Sequence, residues 1–255
     1  MVKKVQSISS IKELDHMNVE IDERWAVEKP SLSMHSIHAY PAKFPPFLAA
    51  EAFQYAMDEG VVIRSVADIF CGCGTTALES KIRGISFWGC DINPVAVMIT
   101  RAKTADYDLE KLEQHFHYII ELYYESRNGQ DNVYESANER LKYWFDEKAY
   151  TDLYYLYNSI EKAKEKAFGN EWCFFQCVFS SILKTCSRWL QKSIKPQIDP
   201  KKQPADVIQE FQNKYKQVYK AVKQINEKGS FSEKQISIEN GNFLELNVPV
   251  VLQGL

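Results

Sequence analysis

Gly72 and Gly74, two positions apart, and Asp91, seventeen positions further on, are the residues of this chain best suited to hold a ligand. Glycine lets a backbone pass close beneath a bound molecule and adopt dihedrals that a side chain forbids. A carboxylate offers two acceptor oxygens, which suits the vicinal hydroxyls of a ribose. The intervening residues make the pair meaningful. Val66-Ala67-Asp68-Ile69-Phe70 is an apolar run before the turn, Thr75 opens a helical stretch after it, and Gly89-Cys90-Asp91 closes a second apolar run. Strand, glycine turn, helix and a second strand ending in an acid is the arrangement by which α/β folds hold an adenosine-bearing molecule.

The elements that must position these residues follow from patterning. Val61 to Phe70 reads as the first strand, Thr75 to Arg83 as the helix and Ser86 to Cys90 as the second strand, apolar enough to be buried on both faces. Asn93-Pro94 opens a further helix reaching Lys103. Upstream, Pro41, Pro45 and Pro46 exclude regular helix from most of Ser31 to Phe47 and shape a loop, and a helix is predicted over Pro46 to Met57. Long aromatic-rich helices are predicted over Leu109–Tyr124, Arg140–Lys166, Glu171–Leu190 and Ala205–Ile225. The last carries an apolar stripe at Ile208, Phe211, Tyr215, Val218, Val222 and Ile225 that reads as a helix docked on its own domain. Lys192 to Pro204, with three prolines, reads as irregular. Gln235 to Asn242 resembles a returning strand that ends in a polar turn. The expected fold is α/β: a parallel, incomplete sheet with a large helical insertion. Its divisions are an N-terminal arm (1–30), a ligand-binding α/β part (31–107), the insertion (108–230) and a return strand (231–255).

Composition narrows the function classes. The 255 residues are 45% hydrophobic, enough for a sizeable core. The net charge of −3 does not by itself announce a nucleic-acid binder, so such a role must rest on a local patch. One exists: from Ser181 to Lys234, 12 Lys/Arg face 5 Asp/Glu, including Lys184, Arg188, Lys192, Lys195, Lys201 and Lys202, with Trp189 among them. Six scattered cysteines and a start without the apolar core of a secretory signal point to a reducing cytoplasm. Cys71, Cys73 and Cys90 lack a fourth ligand at zinc-like spacing, so no metal is expected. Trp172 to Leu183 is too short to cross a bilayer, so no membrane segment is expected.

The string Asp68-x-Phe70-x-Gly72-x-Gly74-Thr75-Thr76 resembles the cofactor turn of the S-adenosylmethionine-dependent DNA amino-methyltransferases, which modify adenine N6 or cytosine N4. The loop His38-Ala39-Tyr40-Pro41-Ala42-Lys43-Phe44-Pro45 is similar to the segment by which that family grips the methionine part of the cofactor. The resemblance implies a Rossmann-like methyltransferase sheet and S-adenosyl-L-methionine as cofactor. It implies a binding set of Tyr40, Pro41, Lys43, Phe44, Asp68, Phe70, Gly72, Gly74, Thr75, Thr76, Asp91, Ile92, Asn93 and Asn242. In that set Lys43 would meet the carboxylate, while Asp68, Phe70, Gly72 and Gly74 surround the methionine end. Asp91 would take the ribose hydroxyls, Ile92 would pack on adenine and Asn242 would meet the adenine amino group. The family more often has Asp at the last position, but an amide can still accept that bond. Phe174-Phe175 through Arg188 also looks like a segment found between these motifs in site-specific enzymes.

The resemblance further implies a catalytic Asp/Asn/Ser-Pro-Pro-aromatic segment, which orients the base amine and stacks on a flipped base. Lys43-Phe44-Pro45-Pro46-Phe47 lacks the polar residue and precedes the turn, and Asp199-Pro200-Lys201 lacks the second proline. No catalytic residue is therefore assigned, and a second polypeptide carrying the Pro-Pro segment is an expected partner besides double-stranded DNA. The expected reaction is methyl transfer to a base amine, cytosine N4 favoured over adenine N6. Alternatives left open are a nicotinamide-dependent oxidoreductase, since Gly72-x-Gly74-x-x-Ala77 with Asp91 also fits a dinucleotide fingerprint, a non-catalytic DNA-binding subunit, and an RNA methyltransferase.

Overall fold

The computed structural model describes residues 33–41, 43–128, 132–165, 169–190, 195–227 and 235–246. The expected arm (1–30), the end of the return segment and Lys192 lie outside the described residues. A compact unit spans Ser31–Leu255. Its elements run α1 (Pro46–Asp58), β1 (Ser65–Asp68), α2 (Thr75–Ile82), β2 (Ser86–Asp91), α3 (Pro94–Thr104), α4 (Leu109–Arg127), α5 (Glu139–Trp144), α6 (Glu147–Lys164), α7 (Glu171–Ile182), α8 (Val207–Asn226) and β3 (Ile236–Asn240).

The three strands form one parallel sheet in the order β1-β2-β3. Parallel strands require crossovers, and α2 supplies the first while α3 through α8 fill the second. β2 is central and buried through Phe87–Cys90, as its apolar run predicts. β1 differs from expectation. It spans only Ser65–Asp68 of the expected Val61 to Phe70 and is half-buried, and its C-terminal end is set where the Asp68 carboxylate accepts from the Phe70 amide (3.1 Å) and turns the chain out of the ladder. Val62 upstream is 80% exposed.

Short polar side chains start most of the helices. Asn93, Asp108, Asn138, Asp146 and Asp206 each accept from amides of the following turn, opening α3, α4, α5, α6 and α8. Such a cap contributes about 1 kcal/mol. Asp146 also divides the single helix expected over Arg140 to Lys166, since its carboxylate takes the Ala149 amide while Phe145 stays extended. The helix expected to reach Leu190 stops at Ile182: Ser187 Oγ donates to the Lys184 carbonyl and accepts from the Trp189 amide, local bonds that compete with helix. At the far end of α3, Lys81 donates to the Thr104 and Ala105 carbonyls and to Asp106, satisfying carbonyls the helix leaves open.

The helical segment does not stand apart from the sheet. One apolar core joins Cys73, Leu78, Ile99 and Ala102, behind the glycine turn, to Leu112, Leu156, Phe174, Phe175 and Phe211. α8 buries Phe211, Tyr215, Val218, Val222 and Ile225, the stripe read from the sequence. Tyr215 stacks on Phe116 at 3.8 Å and lies parallel to Phe175 at 6.1 Å. The helices therefore form the wall against which α3, and through it the site, is seated.

Candidate functional site

The C-terminal ends of the strands converge on the glycine turn, where ligands bind in open α/β sheets. Gly72 and Gly74 both take positive φ, +50° and +75°. At Gly74 a Cβ would lie 2.5 Å from Thr100 Cγ2, so both conformation and space require glycine. Asp91 braces this turn. One carboxylate oxygen accepts from the Gly72 amide (2.9 Å) and the other from the Asn93 amide (2.8 Å). Each oxygen retains a second lone pair for a ligand hydroxyl. From the third strand, Asn240 Nδ2 donates to the Asp91 and Ile92 carbonyls (2.9 and 3.3 Å) and the Gly241 amide donates to Asp91 (3.1 Å).

Against this edge lies a cavity of about 380 Å³ lined by Tyr40, Lys43, Phe44, Asp68, Phe70, Cys71, Gly72, Cys73, Thr75 and Thr76. Loop and turn are stitched together: Thr75 Oγ1 donates to the Phe44 carbonyl (3.0 Å) and Asn93 Nδ2 to Tyr40 Oη (3.1 Å). Two large apolar side chains are exposed here: Phe70, in the lining, is 80% exposed, and Ile92, just past the end of β2, 75%. Each is an apolar surface available to a planar ring. No side chain caps the start of α2, where Gly74 is the N-cap and Thr75 and Thr76 line the cavity, which leaves first-turn amides of the helix without a side-chain acceptor.

The loop rests on buried polar groups. His35, wholly buried, pairs with Glu79 (2.7 Å), which also accepts from Arg83. Burial pushes the Glu79 carboxyl upward, but the hydrogen bonds from His35 and Arg83 outweigh it and hold it below the usual range. His38 meets Ser180 Oγ of α7 (3.1 Å), and burial, with Lys214 and Lys103 nearby, lowers its pKa to about 4. Burial and the carboxylates of Asp68 and Asp91 push the Cys71 thiol up to about 12, so it is no nucleophile at neutral pH.

Eight sequence-predicted residues line the cavity: Tyr40, Lys43, Phe44, Asp68, Phe70, Gly72, Thr75 and Thr76. Gly74, Asp91, Ile92 and Asn93 frame it from the turn and the end of β2. Pro41 lies outside the lining. Asn242 sits past β3, where its amide oxygen accepts from the Leu244 amide (3.1 Å) and opens a short 3-10 turn, Phe243–Glu245. Lys43 lines the cavity while its ammonium donates to the His35 carbonyl (3.0 Å). Sequence reasoning missed Cys71 and Cys73 as lining, although their interleaving with the glycines made them neighbours of any ligand there. It also missed Asn240, whose signal was an amide side chain at a strand end.

The basic patch is partly structural. Arg188 donates to the Lys142 and Phe145 carbonyls, and Lys202 to those of Lys184 and Trp189. Trp189 stacks on Trp144 at 5.0 Å with Lys184 over its ring. Arg188 and Lys202 thus hold the segment after α7 rather than standing free in solvent.

Fold and crevice together define a class: a Rossmann-like α/β protein of the methyltransferase type. No family model matches the chain. Over 169 residues, 63% of its length, it is 28% identical to the Type II methyltransferase M.MvaI of Kocuria varians. Over 139 residues, 54% of its length, it is 27% identical to the Type II methyltransferase M.MjaII of Methanocaldococcus jannaschii. The aligned regions cover 36% and 26% of those proteins, so the chain spans about a third or less of the curated relatives it matches. Over those stretches the chain is similar to both Type II methyltransferases.

Proposed function

We propose that the crevice binds S-adenosyl-L-methionine and that the chain is the cofactor-binding part of a DNA methyltransferase acting on an exocyclic base amine, cytosine N4 in preference to adenine N6. The observation that carries this reading is the convergence of Tyr40, Lys43, Phe44, Asp68, Phe70, Gly72, Thr75 and Thr76 on one cavity at the sheet's C-terminal edge. The residues present fit the group. Asp91 has lone pairs for the ribose hydroxyls, exposed Ile92 and Phe70 offer apolar faces to the adenine and the thioether chain, and Lys43 with the start of α2 favours a carboxylate. When bound, the cofactor supplies a methyl group on a sulfonium, electrophilic enough for a base amine to take.

The chain's own residues bind and orient; the amine must be positioned by an Asp/Asn/Ser-Pro-Pro-aromatic segment supplied with this chain, on the same polypeptide or a second. Double-stranded DNA is the proposed substrate, with Lys184 and Lys201, both exposed, as phosphate contacts from the helical face. The test is calorimetric titration with S-adenosylhomocysteine and with NAD. Binding of the first alone supports the reading, and binding of NAD alone turns it into a nicotinamide-dependent oxidoreductase. Transfer to duplex DNA is then assayed with and without a polypeptide bearing the Pro-Pro segment.

A further inference from the structure

We propose that Thr100 and Lys103 of α3 are positioning residues that aim the Cys73 amide at the ligand's carboxylate, an inference that rests on the cofactor reading above. The two side chains stand one turn apart on the same face of α3 and are 0% and 1% exposed. Thr100 Oγ1 lies 2.9 Å from the Gly72 carbonyl and 3.0 Å from the Ala96 carbonyl of its own helix, sharing its one proton between them, and Lys103 Nζ donates to the Cys73 carbonyl (2.7 Å) with Cys73 Sγ at 3.5 Å.

A buried ammonium is costly unless compensated, and an alkyl side chain would pack α3 against its neighbours without that cost. Its hydrogen bonds go to the residue between the two glycines. Burial also holds the Lys103 pKa below the usual lysine value, a further sign that the group is kept there against solvation.

The consequence for the ligand is geometric. In a trans peptide the carbonyl and the following amide point in opposite directions, and the described residues contain no cis bond. Drawing the Gly72 carbonyl down to Thr100 therefore turns the Cys73 amide away from α3, to the cavity side. Lys103 fixes the next peptide plane, whose Gly74 amide closes the turn onto the Cys71 carbonyl (2.9 Å). The Cys73 amide then stands beside the uncapped start of α2, and successive amides of this kind form a concavity for an anion. The anionic part of the cofactor is the carboxylate of its methionine moiety. Adenosine, held by Asp91 and Ile92, lacks that part.

The test titrates the full chain with S-adenosylhomocysteine and, separately, with adenosine. Thr100→Val and Lys103→Met should each weaken S-adenosylhomocysteine by about tenfold or more, the loss expected when a hydrogen bond to a charged group is misplaced. Adenosine affinity should stay within about twofold, and Thr100→Ser, which keeps the hydroxyl, should restore most of the loss. If Lys103→Met fails to fold, the Thr100 pair decides. Equal losses for both ligands, no loss in Thr100→Val, or the same loss in Thr100→Ser would overturn the proposal. So would an unmodified chain that binds both molecules equally, a result that leaves the cofactor reading standing. A chain that binds neither removes both.

Discussion

Replacing Asp91 by asparagine changes one oxygen to an NH₂ group and tests the centre of the site. The native carboxylate accepts from two backbone amides, those of Gly72 at 2.9 Å and Asn93 at 2.8 Å. The amide has a single acceptor oxygen, so in either orientation one backbone N–H faces another N–H. A hydrogen bond to a charged group contributes about 1.5 to 3 kcal/mol. Asp91 is half-buried, which places the expected loss of folding stability at the lower end, about 1.5 to 2 kcal/mol. For a unit of this size each kcal/mol lowers Tm by about 2 to 4 °C, so a fall of roughly 3 to 8 °C is expected. Ligand affinity should fall as well, by about tenfold, because the ribose hydroxyls lose a charged acceptor and the turn beneath them loses its brace. Thermal unfolding and calorimetry with S-adenosylhomocysteine read the two effects separately. An unchanged affinity beside a lowered Tm would reduce Asp91 to a turn brace. No change in either would refute the electrostatic account of the turn.

Gly74→Ala should destabilise by about 2 kcal/mol or more, since a left-handed conformation alone costs about 1 to 2 kcal/mol and the new Cβ would strike Thr100. Gly60→Ala, with φ +79° but open space around its Cβ, should show only the conformational part, and equal denaturant midpoints for the two variants would contradict the steric argument. His38 has a folded pKa near 4, below the ordinary histidine value, so the stability it contributes is present above that ordinary value and lost as pH falls towards 4. His38→Gln should flatten stability between about pH 6.5 and 4, and an unaltered acid slope in urea titrations would count against it. Lys201→Glu should weaken duplex binding, more at low salt, without lowering Tm. Arg188→Glu should lower Tm because it abandons the Lys142 and Phe145 carbonyls, and a Tm equal to the parent's would refute that structural role.

The parts of the fold legible in the sequence were those encoded locally. Gly72, Gly74, Asp91 and the Asn93-Pro94 cap lie within one strand-turn-helix-strand-helix run, and the structure assembles them as read. What failed was governed by competition between side chain and backbone. Asp68, Asp146 and Ser187 each capture nearby backbone groups and end or divide an element that apolar periodicity would continue. The helical face was legible only as a sum of charges, for a different reason. Counting charges cannot tell a solvated lysine from Lys202, whose ammonium is occupied by two carbonyls. Nor can it foresee that Arg188 reaches back more than forty residues to support α5 and its exit.

The clasp of Asn240 on Asp91 joins residues 149 positions apart. Loop closure over such a distance is slow relative to the pairing of β1 with β2 and the packing of α2 and α3. During folding, the floor of the crevice can therefore take shape early from contiguous chain, while its third side arrives only after six helices have collapsed into the intervening core. Ligand competence would then be a late reporter of folding, and a nucleoside present during refolding would accelerate nothing before that last strand docks.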